Sequence, residues 1–371
     1  MNPRYEILDT SGIITPALLI FRDLLEDNLD KMVKIAGDSG RLRPHCKTHK
    51  TKQIVDLQLD RGITKHKCAT FAEAEMLAEA GVKDVFLAYS LVGPNIQRAV
   101  QFCKRYREVT LSVTADHERP ILELGRAMQQ SGEVVDVLLD LDTGQHRTGI
   151  PVGQRAAGLY ALIHETSRLN CGGLHLYDGQ NHQTPLDERR EAVMECWRQA
   201  SEFRDELEQQ GLTVPRIVAG GTGSFPIYAE IDDPALELSP GTCVYHDAGY
   251  GGMFPDLDFQ PAALLLTRVI SRPTENRVTV DLGYKAVASD PPMEKRAVFP
   301  DIPDAKLVLQ NEEHLVIETS HAQEFSPGDE LLAVPRHVCP TSAMHKQVVV
   351  IAEGKVAGTW LVASRDRRLT I

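Results

Sequence analysis

Arg43-Pro44-His45-Cys46-Lys47-Thr48-His49-Lys50 sets a lysine between two histidines early in the chain. A neutral lysine amine forms a Schiff base with a carbonyl, and burial or nearby positive charge, such as Lys50 or a protonated His45 or His49, favours the neutral form. Pro44 restricts Arg43 to extended backbone, while Ile54, Val55, Leu57 and Leu59 recur at helical spacing just downstream. Lys47 is therefore expected at a strand-to-helix junction. The same run also reads as a solvated basic loop, because charged residues mostly stay exposed.

Three further groups carry polar chemistry at the ends of apolar runs. Gly220-Gly221-Thr222-Gly223-Ser224 offers glycines that let backbone N–H groups approach an anion, with two hydroxyls as added donors; glycine clusters also make plain tight turns. The segment Asp140 to Gly149 holds Arg147 in a glycine-bounded loop, from which it can donate to a ring oxygen or a carboxylate, or pair with Asp140 or Asp142. Tyr177-Asp178-Gly179-Gln180-Asn181-His182 supplies several polar side chains, as a pocket or as a hydrogen-bonded loop. Farther on, His337 and Cys339 are two positions apart, so on a strand they share a face and suit a divalent metal, most naturally Zn²⁺. A lone His-x-Cys is common by chance, and Pro340 marks a turn or strand end after it. Asn311 to His314 and Asp281 to Lys285 read as solvated turns.

Apolar, β-branched runs that would position these groups recur at Ala17 to Phe21, Leu42 to Cys46, Lys65 to Ala69, Val85 to Tyr89, Thr110 to Thr114, Val134 to Leu141, Gly173 to Tyr177 and Arg216 to Ala219. Helical patterns such as Leu24 to Ala36, Phe71 to Ala80 and Asp187 to Gln210 lie between them. Strands alternating with helices indicate an α/β fold around a parallel sheet, and eight strands fit a (β/α)8 TIM barrel. Lys47, Thr70, Arg147, Tyr177 and the Gly220 to Ser224 loop then fall at strand C-terminal ends, where barrels keep their function. After about Pro255 the pattern changes to short alternating strands with Gly, Pro and Asn turns. Residues 13–255 are expected to form the barrel and 256–371 a mostly-β domain, completed by 1–12, where Tyr5 to Leu8 can add a strand.

The 371 residues can bury a large core, and 42% hydrophobic with 25% charged residues is the composition of a soluble globular protein. A net charge of -12 argues against a nucleic-acid or anionic-membrane binder. No apolar run approaches 18 residues and no signal sequence is evident, so a cytoplasmic protein is expected. Seven scattered cysteines with no C-x-x-C pair argue against a disulfide scaffold and a four-cysteine zinc site.

TPALLI, RPHCKTHK, KHKCATFAEAEMLAEAG, DTGQHRTG, YDGQNH, GGTGS, SPGTCVYHD and HVCPT, taken in order, resemble the D-threonine aldolase and D-serine dehydratase-like family. These are pyridoxal 5'-phosphate enzymes with the alanine racemase type of fold, and the resemblance covers nearly the whole chain. It implies that Lys47 forms the imine with the cofactor, that Gly221, Thr222 and Gly223 cradle its phosphate with help from Tyr245, that Arg147 lies near its ring oxygen and that Tyr177 faces the pyridine nitrogen. It makes His337 and Cys339 a divalent metal pair, Zn²⁺ or Mn²⁺, and the enzyme a homodimer acting on a small D-amino acid.

Two lyase outcomes follow from that resemblance. Breaking the Cα–Cβ bond of a D-3-hydroxy amino acid releases glycine and an aldehyde. Removing the Cα proton and expelling the hydroxyl gives a 2-oxo acid and ammonia, the reaction of D-serine or D-3-hydroxyaspartate dehydratases. Overall resemblance favours the aldolase, whereas His-x-Cys in place of His-x-Asp, and YDG in place of YHG, depart from the aldolase pattern. A racemase needs a second acid-base group beyond Lys47, and a non-catalytic cofactor carrier would not need the added β domain.

Overall fold

The computed structural model of the chain describes residues 3–371. It divides into two compact units, the first comprising the segments up to Met32, Thr48–Gln53 and Thr242–Arg365, the second Val33–Lys47, Ile54–Gly241 and Asp366–Ile371. Strand Ala17–Phe21 (β1) and helix Arg22–Ala36 (α1) open the chain; Leu25, Leu29, Met32 and Ala36, three or four residues apart, make the buried stripe of α1.

The second unit is a barrel. Its parallel strands run in chain order, Lys65–Cys68 (β2), Asp84–Ser90 (β3), Thr110–Ala115 (β4), Val135–Leu141 (β5), Leu169–Leu176 (β6), Ile217–Ala219 (β7) and Leu236–Leu238 (β8). Leu42–His45 joins the two edges of this sheet: Leu42 bridges Leu238, His45 bridges Lys67, and the Arg43 and His45 N–H groups donate to the carbonyls of Leu238 and Pro240 at 2.8 Å. The intervening helices are Lys52–Leu59 (α2), Phe71–Glu79 (α3), Pro94–Arg105 (α4), Glu118–Ser131 (α5), Gln154–Glu165 (α6), Leu186–Gln209 (α7) and Phe225–Ala229 (α8). Thr70 caps α3 by accepting from the Glu73 N–H.

A buried ion network holds the seam of the barrel. Arg43, fully buried, donates from Nε to Glu237 of β8 at 2.5 Å and from both terminal nitrogens to Asp84 of β3 at 2.7 and 2.9 Å. Lys65 of β2 donates to the other Glu237 oxygen at 2.7 Å. Burial opposes charge on Glu237, but Arg43 outweighs it and holds the carboxyl below its usual range. The network thus spans the bridging segment, β8, β2 and β3.

The first unit is mostly β. It contains Ala248–Met253 (α9), Ala263–Thr274 (β9), Arg277–Val280 (β10), Ala297–Val298 (β11), Lys306–Gln310 (β12), Leu315–Glu318 (β13), Glu330–Pro335 (β14), Val338–Met344 (α10), Gln347–Ala352 (β15) and Lys355–Leu361 (β16). The sheet order is β12-β13-β10-β9-β1-β15-β16, with β14 also paired to β9. β1 is therefore not the first barrel strand that its sequence suggested: Leu19 pairs antiparallel with Leu264 of β9 and parallel with Val349 of β15. All five β1 residues are buried, and burial of both faces erases the alternation that would mark a strand of an antiparallel sheet. The barrel instead takes β8, whose three residues are too short a run to stand out. Tyr5 to Leu8 adds no strand; Leu8 N–H donates to the Gly354 carbonyl at 2.8 Å. Among the described residues no helix is long and apolar enough to cross a membrane, and none of the seven cysteines is in a disulfide.

Candidate active site

Three cations gather on one aromatic ring at the C-terminal ends of the barrel strands. Lys47 Nζ lies 5.9 Å from the Tyr177 ring centroid, Lys67 Nζ 5.8 Å and Arg147 Cζ 4.9 Å, within cation–π range. Lys47 sits in a short 3-10 turn, Cys46–Thr48, after the bridging segment. Arg147 is presented by a loop that Asp142 organises, accepting from the Gly144 and His146 N–H groups at 3.0 and 2.9 Å and from the His146 ring at 2.8 Å. Asp140 is engaged instead with His175, Nδ1 to Oδ1 at 2.6 Å. Neither carboxylate forms an ion pair with Arg147 among the described residues.

Lys67 was not singled out in the sequence as a site residue, though it lies in the strand expected at Lys65 to Ala69. It is buried, 3% exposed, and its Nζ also lies 5.8 Å from the Phe86 ring. Burial, then the charge of Lys47, pushes Lys67 down to about 7, with Asp140 opposing. Burial and Lys67 likewise lower His175, whose Nε2 is buried without a partner. Two lysines thus face the same ring in different surroundings, one half-buried and one enclosed.

The glycine turn adjoins that ring. A Cβ on Gly221 would stand 3.2 Å from Tyr177 Cε2, and one on Gly220, at φ +77°, would meet the Tyr228 ring at 2.8 Å. The Gly221 N–H donates to Ser224 Oγ at 3.1 Å, and Ser224 donates to Asp178 at 2.8 Å. Thr222 and Gly223 are buried in the turn, and Thr222 Oγ1 accepts from the Gly241 N–H at 3.2 Å, tying the loops after β7 and β8 together. Ser239 in the second of these loops keeps a buried hydroxyl with no partner. These residues fit pyridoxal phosphate: an amine for its aldehyde, an aromatic face for its ring, a cation, and a glycine turn with hydroxyls for its phosphate.

His337, Cys339 and Tyr245 belong to the first unit. His337 and Cys339 are not on a strand: His337 is the N-cap of α10 and Cys339 lies in its first turn. Their side chains hydrogen-bond each other, and that contact, ahead of Asp290, pushes His337 up to about 9 against the opposing effect of burial. His337 Nδ1 lies 2.6 Å from Asp290 Oδ2. Cys339 Sγ lies 3.1 Å from the Thr48 hydroxyl and 3.6 Å from that of Thr242. A nitrogen and a sulfur so placed fit two ligand positions of a borderline divalent cation. Tyr245 is fully buried, its ring edge-on to His49 at 6.5 Å, and burial raises its hydroxyl pKa. In the second unit His45, Cys46 and Glu73 bring ligand-type atoms within 4.8 Å of one another; there Glu73 accepts from the Ala69 N–H at 2.6 Å, as a helix-capping carboxylate does.

Residues 20–248 match the alanine racemase N-terminal domain and residues 262–351 a putative serine dehydratase domain. D-threonine aldolase of Arthrobacter sp is 31% identical over 361 residues, covering 95% of this chain and 92% of that protein. D-threo-3-hydroxyaspartate dehydratase of Delftia sp. (strain HT23) is 25% identical, covering 93% and 96%. The crystal structure of D-threonine aldolase from Filomicrobium marinum superimposes with a TM-score of 0.88 at 29% identity, covering 95% of each chain. With an alanine racemase-like barrel, a mostly-β sheet and a relative above 30% identity along its length, the chain belongs to the D-threonine aldolase and D-serine dehydratase-like family and is a pyridoxal phosphate-dependent lyase.

Proposed function

We propose that the chain cleaves D-3-hydroxy amino acids by a retro-aldol reaction to glycine and an aldehyde, with pyridoxal phosphate at Tyr177 and a divalent cation, Zn²⁺ before Mn²⁺, on His337 and Cys339. The observation that carries this is the convergence of Lys47 and Arg147 on the Tyr177 ring beside a glycine turn, and the likeness to D-threonine aldolases supports it. When bound, the cofactor supplies an electron sink at Cα and the cation a Lewis acid for the 3-hydroxyl.

Lys47 would hold the cofactor through its aldehyde. Arg147, held 4.9 Å from the Tyr177 ring centroid, would donate to the cofactor's ring oxygen beside Tyr177. Gly221, Thr222 and Gly223 would hold the phosphate, with Ser239 as an added hydroxyl donor, and His337 and Cys339 would hold the cation. We also propose a homodimer, as the family resemblance implies, and a cytoplasmic location, as read from the sequence.

Elimination to a 2-oxo acid and ammonia is the second reading, favoured by the sulfur ligand and by the likeness to D-threo-3-hydroxyaspartate dehydratase. In it Lys47 takes the Cα proton. Incubation with D-threonine, pyridoxal phosphate and a divalent metal, beside a chelated control, separates the two. Glycine and acetaldehyde are expected; 2-oxobutanoate and ammonia would overturn the aldolase.

A further inference from the structure

The loop that carries Asp290 is stitched to the helix that carries His337 and Cys339. Thr341 Oγ1 accepts from the Ala288 N–H at 3.0 Å and donates to the His337 carbonyl at 2.8 Å. Between the two ligand-type residues, the Val338 N–H donates to Asp247 at 2.9 Å. Ser342 donates to the carbonyls of Thr48 and Cys339 at 2.5 and 3.0 Å. Five hydrogen bonds, two of them to the His337 and Cys339 carbonyls, therefore fix the backbone around both side chains.

An ionised carboxylate only accepts, so the contact of 2.6 Å between His337 Nδ1 and Asp290 Oδ2 is an N–H donated by the ring. With Nδ1–H engaged by Asp290, Nε2 is the ring nitrogen left to take a cation when it gives up its proton. Metal-binding histidines are commonly oriented in this way by a carboxylate on the second nitrogen. The Thr48 and Thr242 hydroxyls act similarly on the other side, at 3.1 and 3.6 Å from Cys339 Sγ.

Resting on the metal reading above, we propose that Asp290 is the positioning residue of the metal pair: it fixes His337 in the tautomer and rotation that leave Nε2 for a divalent cation beside the Cys339 sulfur. Asp290 touches neither substrate nor cation; it acts through His337. Its loss is felt first as lost metal affinity.

The test uses the full-length protein stripped of metal. Zn²⁺ affinity is measured by competition with a chromophoric chelator, and Co²⁺ loading by its sulfur-to-metal absorption band. Asp290→Ala is expected to weaken binding about 10- to 100-fold while the sulfur band persists at saturating Co²⁺, and Asp290→Asn, which keeps an acceptor, to lose less. Melting of the metal-free Asn variant should match the parent, since both partners of the pair are exposed, at 40% and 54%. Parent-like affinity in Asp290→Ala, with His337→Ala weakened, would overturn the positioning role alone. Unchanged affinity in His337→Ala and Cys339→Ala, with no sulfur band in the parent, would overturn the metal reading and this inference together.

Discussion

Lys67 shows how a single residue can carry an energetic cost that the fold tolerates. In an unfolded chain its amine titrates at the ordinary 10.5, whereas burial and Lys47 bring it to about 7 in the barrel. Between those values the unfolded chain binds the extra proton, so stability rises with pH from about 7 to about 10.5, and the full penalty is present below 7. The apoprotein is therefore expected to melt higher at pH 9 than at pH 7, and Lys67→Met to raise melting most at pH 7 and to flatten that slope; scanning calorimetry of both proteins at the two values checks it. Lys47, Arg147 and Tyr177 were legible in the sequence because each follows an apolar run and so marks a strand end. Lys67 was not singled out because the Lys65 to Ala69 run, although expected to be a strand, does not tell which of its side chains the barrel encloses.

The elements were legible where their pattern is long and one-sided. Helices α1, α3 and α7 lie within two residues of expectation, because their buried stripes repeat at helical spacing. β1 and β8 were misread for opposite reasons, one buried on both faces and the other only three residues long. His337 and Cys339 approach each other through a helix start, a geometry that their spacing alone does not encode. Two outcomes belong to this scale. Arg43→Ala leaves Glu237 and Asp84 without their buried partner and should cost about 3–5 kcal/mol in urea unfolding. Gly149→Ala forces a side chain onto backbone at φ +94° with its Cβ 2.8 Å from the Leu141 carbonyl carbon; the shifted loop should weaken pyridoxal phosphate binding by about tenfold, ~1.4 kcal/mol, measured by fluorescence titration of the apoprotein.

On the scale of the molecule, neither unit is a continuous stretch of chain. The last six residues return to the barrel unit, where the Thr370 N–H and hydroxyl both donate to the buried Glu75. Residues 256–371 alone lack β1, which joins β9 to β15 in the centre of the sheet, so that fragment is expected to show no dispersed amide spectrum. A dispersed spectrum would show that β15 and β9 can do without their shared neighbour. The position of β1 has a further effect during synthesis. Its apolar residues leave the ribosome before the barrel, but β9 and β15 are made only after the whole barrel. Such long-range pairing is slow to form and leaves hydrophobic surface exposed meanwhile, which makes the ALLIF segment a natural point of engagement for chaperones on the growing chain.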